Sequence, residues 1–91
     1  MLDDLDRPRL ARGVRLRWDP VRETQMLLRP EGAVELSPSA AAVLELCSGE
    51  RSIQAIIDDL EAKHAGADLG DDVRELLTSL VDLGLVTHAN R

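Results

Sequence analysis

Apolar and polar residues alternate through the first third of the chain, and after residue 37 the apolar positions recur at helical spacing. Val14-Arg15-Leu16-Arg17-Trp18 alternates strictly, the period-2 pattern of a half-buried strand. Asp19-Pro20 marks a turn, and Gln25 to Arg29 reads as a second strand. Pro30-Glu31-Gly32 then reverses the chain, because Pro presets φ and Gly accepts a positive φ. Ala33 to Leu36 is a third strand, with Val34 and Leu36 on one face and Ala33 and Glu35 on the other. Pro38 has no N–H, so the ladder stops there and a helix can start.

Three helices are predicted after that point. Ser37 caps the first, Ala40, Val43, Leu44 and Cys47 form its apolar face, and Gly49 closes it. Ser52 caps the second, whose apolar face is Ile53, Ile56, Ile57 and Leu60. The third is expected from Asp68 to Gly84, with Asp71 and Asp72 in its first turn, where the helix dipole favours carboxylates. Val73, Leu76, Leu77, Leu80 and Leu83 make its stripe, widened by Val81 and Leu69 beyond the arc of roughly 100° that one core face needs. The expected division gives Leu76, Leu80 and Leu83 to the core, and Val73, Leu77 and Val81 to a groove. Leu85 to His88 reads as a short strand or extended tail.

The fold class expected is therefore α+β and winged helix-turn-helix-like: three N-terminal antiparallel strands followed by three helices. Residues 1–12, with mixed Asp and Arg and with Pro8, are expected as a flexible N-terminal arm, and residues 13–88 as a single domain.

Composition narrows the functional classes. The chain has 91 residues, enough for one modest core, and that core must be aliphatic, since Trp18 is the sole aromatic. Cys47 is the single cysteine, which excludes an internal disulfide. The opening Met1-Leu2-Asp3-Asp4 is acidic and no apolar run approaches bilayer length, so a cytoplasmic, non-membrane protein is expected. The formal charge is −6, yet seven arginines lie between Arg7 and Arg29 against only Asp19 and Glu23. That polarity suits either internal complementarity or a charged binding surface.

No catalytic constellation is found. His64 and His88 lie in different elements without a nearby thiol, which is no zinc set. Cys47 sits on an apolar helix face as a small hydrophobe. Asp58-Asp59 and Asp71-Asp72 are adjacent pairs that point about 100° apart on a helix. No enzyme activity, metal or cofactor is expected. Trp18 is read as a residue at the core's edge, with a stacking platform as its alternative, and Arg15 and Arg17 face away from it. The winged-helix order also raises a DNA-binding or generic interaction module as the alternative function. Against DNA, the would-be recognition helix sets Arg74 among Asp71, Asp72, Glu75 and Asp82, which phosphates would repel.

An ordered set of segments carries a family resemblance. It comprises Val14-Arg-Leu-Arg-Trp-Asp, Val21-Arg22, Leu27-Leu28-Arg29-Pro30-Glu31-Gly32, the helix ending Leu46-Cys47-Ser48-Gly49, Ser52-Ile53-x-x-Ile56-Ile57-x-x-Leu60, and Leu80-Val81-Asp82-Leu83-Gly84-Leu85-Val86. Across residues 7 to 87 the chain resembles pyrroloquinoline quinone biosynthesis protein D (PqqD), a RiPP precursor-peptide recognition element. The resemblance implies a peptide chaperone in pyrroloquinoline quinone (PQQ) biosynthesis. It would bind the precursor peptide PqqA and present it to the radical SAM enzyme PqqE, without nucleic acid or membrane. It also implies a peptide groove of Ala33, Val34, Glu35, Leu36 and Ser37 facing Val73, Leu76, Leu77, Leu80 and Val81. An unpaired strand edge and an over-wide helix stripe direct attention to the same two elements from the residues alone. The short hinges at Asp19-Pro20 and Pro30-Glu31-Gly32 suggest a monomer or a domain-swapped homodimer.

Overall fold

The computed structural model describes residues 2–89. In chain order the elements are β1 (Arg7–Leu10), β2 (Arg15–Asp19), β3 (Thr24–Arg29), β4 (Gly32–Glu35), α1 (Pro38–Glu45), α2 (Ile53–Lys63), α3 (Gly70–Asp82) and β5 (Val86–Ala89). Strands β2, β3 and β4 form an antiparallel meander in that order. Leu16, Leu27 and Val34 stand opposite one another across it, and their row faces the helices. Gly32 closes the Pro30-Glu31 reversal at φ 140°, a region that side chains rarely enter. The architecture is the expected α+β, winged-helix-like one, with β1 added to the three expected N-terminal strands and the segment read as a short strand or tail present as the strand β5.

The helices start as their capping residues dictate. Ser37 Oγ accepts from Ala40 N and Ser52 Oγ accepts from Ala55 N, each satisfying a donor that the first turn leaves without a partner. Helix α3 has no side-chain cap; instead the carboxylate of Glu61 on α2 accepts from Leu69 N at 2.8 Å. Gly49, at φ 86°, turns the chain between α1 and α2 close against Arg9, and its N–H donates to the Pro8 carbonyl. Leu27, Leu44, Ile53, Ile56, Leu77 and Val86 are the most deeply buried large side chains, so the core joins the sheet to all three helices and β5.

Three expectations are corrected. First, the described part of the supposed arm is built into the fold. β1 pairs antiparallel with β5, Arg7 opposite Ala89 and Leu10 opposite Val86, and Asp6 and Pro8 are buried. The carbonyls of Asp6 and Asp4 accept from Ile53 N and Gln54 N, the free donors at the start of α2. Arg74 donates to both carboxylate oxygens of Asp4, at 2.9 and 3.0 Å. Second, the α3 stripe divides differently. Leu77 is fully buried in the core, Leu83 is 69% exposed, and Leu76 and Val81 are half-buried. Third, Trp18 is 54% exposed and lies outside the core cluster, at the end of β2, an edge strand of the meander.

Candidate functional site

Strand β4 has β3 on one side and, among the described residues, no strand on the other. The direction of its backbone groups follows from two bonds at Leu36. Leu36 N donates to Gln25 O at 3.0 Å, and Thr24 Oγ1 donates to Leu36 O at 3.1 Å, so the peptide groups of Leu36 turn toward β3. Antiparallel pairing alternates along a strand. Val34 therefore also bonds inward, and the N–H and C=O of Ala33 and Glu35 point away from β3. The whole of β4 is exposed, so this row of donors and acceptors can receive another extended chain.

Where β4 runs into α1, a cleft of about 550 Å³ opens between the three helices. Ser37 stands at its sheet end. Ala40, Ala42 and Val43 line it from α1, Leu60 and His64 from the end of α2, and Leu69, Asp72, Val73 and Leu76 from the start of α3. The small side chains of α1 leave this volume unfilled, while longer ones at Ala40 and Ala42 would close it. The floor is aliphatic and the rim carries His64, Asp72 and two serines, the mix of an apolar pocket with a few orienting polar groups.

Of the residues expected in the site, Ala33, Val34 and Glu35 lie on the free strand, and Ser37, Val73 and Leu76 line the cleft at its end. Leu36 belongs to a different cavity, on the opposite side of α1. Leu77 and Leu80 are core residues, and Val81 packs half-buried against that core. The sequence reading missed Ala40, Leu60, His64 and Asp72, and counted Leu69 in the wide α3 stripe without assigning it to the site. The signal that could have found them is Ser39-Ala40-Ala41-Ala42, a run of small residues where a core-packed helix would carry larger ones. Cys47, which burial pushes up to about 12, donates its thiol to Val43 O and lies in the core.

Comparison with known proteins decides the family. The model of coenzyme PQQ synthesis protein D (PqqD) matches residues 24–86. The chain belongs to the PqqD family. A PqqA binding protein of Methylococcus capsulatus is 38% identical over 73 residues, covering 80% of this chain and 78% of that protein. Its counterpart in Azotobacter vinelandii is 44% identical over 73 residues, covering 79% of each. A solved PqqD structure has the same architecture: the solution NMR structure of the PqqD truncation of Methylobacterium extorquens PqqCD, described as a functional and stand-alone RiPP recognition element. It superposes with a TM-score of 0.79 at 34% identity, covering 96% of this chain and 95% of that one.

Proposed function

We propose that this PqqD-family chain binds the precursor peptide PqqA in PQQ biosynthesis and presents it to the radical SAM enzyme PqqE, contributing no chemistry of its own. The observation that carries the reading is the juxtaposition of the outward-facing backbone of Ala33 and Glu35 with the cleft beyond Ser37. Main-chain bonds to β4 give a peptide affinity without regard to its sequence, and the cleft selects the side chains that follow. The relatives named as PqqA binding proteins supply the identity of the peptide. As a DNA reader the chain is poorly equipped, since the one cation among the acidic residues of α3, Arg74, is already held by Asp4.

A titration of labelled protein with PqqA tests this reading. The largest amide shifts are expected in residues 33–37 and along the cleft at Ala40, Val73 and Leu76, and random duplex DNA should leave the spectrum unchanged. Shifts confined to Arg15–Trp18 would sink the placement. Adding PqqE to the PqqA-bound chain should give a ternary complex in sedimentation, with the chain itself a monomer that exchanges strands only when concentrated.

A further inference from the structure

A second cavity, of about 350 Å³, lies on the other side of α1 from the cleft, below the row that Trp18, Gln25 and Leu36 form across the sheet. It is at the small end of ligand-sized pockets. Trp18 forms one wall, Leu36 and Ala41 give apolar surface, and Glu23 and Glu45 are its charged members; among the described residues no lysine or arginine lines it. Among the described residues neither glutamate has an ion-pair partner. Gln25 donates its amide N–H to Glu45 Oε2 at 3.1 Å, which fixes that carboxylate. The same bond sets the amide's orientation, and among the described residues it leaves Gln25 Oε1 buried without a donor.

We infer that this cavity is a binding site for an arginine side chain of a partner polypeptide. Each requirement of a guanidinium is met by a group already present. Its flat face stacks on an indole, the most favourable ring for a cation. Its N–H fork finds the carboxylates of Glu23 and Glu45, and bonds to charged acceptors are the strong ones. Its methylene stem lies on Leu36 and Ala41. A lysine would present the same charge, but neither the plane nor the fork.

The position of Glu23 agrees with such a role. The carboxylate of Asp19 takes the N–H groups of Val21 and Arg22 at 2.9 and 3.3 Å, tightening the hairpin turn, and Glu23 then closes it at φ 52°. That left-handed conformation favours glycine or asparagine, so a glutamate at this position costs the fold some stability.

Trp18 is the chain's single tryptophan, so its indole N–H resonance and fluorescence report on this cavity alone. The full chain is titrated with N-acetyl-arginine methylamide and, separately, with the neutral isostere N-acetyl-citrulline methylamide. A saturable response at millimolar arginine probe is expected, roughly tenfold weaker with citrulline, the difference of one charge-assisted contact. Glu23→Gln and Glu45→Gln should each weaken the arginine response several-fold with melting temperature little changed, and the double variant should abolish it. Glu23→Gly should raise the melting temperature while losing the response. Equal responses to the two probes, or an arginine response that survives in the double variant, would overturn the assignment. A Trp18 shift that grows with protein concentration alone would make the occupant a second copy of this chain, and the partner-polypeptide assignment would fall. None of these outcomes touches Ala33 or Glu35, so they are separate from the PqqA titration.

Discussion

Leu76 and Leu77 are neighbours in sequence with opposite environments. One residue of helix turns a side chain by about 100°, enough to move it from the cleft wall to the centre of the core. Leu77 is fully buried, whereas Leu76 is half-buried and lines the cleft. Leu77→Asp is therefore expected to unfold the domain, because an unpaired interior carboxylate costs several kcal/mol against a total stability of about 5–15 kcal/mol. Leu76→Asp should keep the fold and weaken PqqA binding at least several-fold. Circular dichroism melting and peptide titration of the two variants check both halves. Cys47 makes a second contrast at this scale. With its thiol buried and pushed up to about 12, it should resist thiol reagents at pH 8 in the folded protein and react at once in denaturant. Prompt modification of the native chain would contradict that.

At the scale of the element, β4 has one side committed and one side free. Proline deletes a single N–H, so it can test the two sides separately. The N–H of Glu35 points outward, and Glu35→Pro should weaken PqqA binding with a modest change in melting temperature. The N–H of Val34 belongs to the ladder with β3, so Val34→Pro should lower the melting temperature more. Equal destabilisation by both would contradict the inferred alternation. The same elements show what the sequence makes legible. Period-2 alternation and the Pro30-Glu31-Gly32 turn were enough to find β2, β3 and β4. Ser37 and Ser52 were enough to start α1 and α2, because a cap is a local interaction between residues three apart. The division of the α3 stripe was not legible. Periodicity gives the angle between Leu76, Leu77 and Leu83 but not which neighbour each meets. That depends on where α2 and β5 lie, and Leu83 is left facing solvent.

At the scale of the whole molecule, the least legible feature is the closure of the chain's two ends against each other. Arg7-Pro8-Arg9-Leu10 and Val86–Ala89 pair across nearly the full sequence, and Pro8 argued against a strand there. The pairing with β5 is tolerated because Pro8 turns its N and C=O to the other side of the strand, where its carbonyl accepts from Gly49 N, so the ladder with β5 needs no N–H from it. The segment before β1 is held at several points. Asp6 is buried, accepts from Asp3 N at 2.9 Å, and has His88 Nδ1 3.1 Å from its Oδ2. Asp4 is clamped by Arg74. The hydrogen bond from Arg74 holds the Asp4 carboxyl below its ordinary range, with the charge of Arg74 acting in the same direction. A carboxylate with a lowered pKa in the folded state stabilises the fold above its ordinary pKa, and that contribution is lost as pH falls through the lowered value. Asp4→Asn should thus lower the melting temperature at pH 7, and the gap from the parent chain should close as pH falls below about 4, the ordinary range of an aspartate. Arg74→Met should show the same closing gap, since it removes the same pair from its other side. The double variant should lose little more than either single one, because two residues acting as a unit are not additive. A gap that stayed constant from pH 7 to pH 3, or losses that summed in the double variant, would mean that the pair does not hold the N-terminal segment to α3.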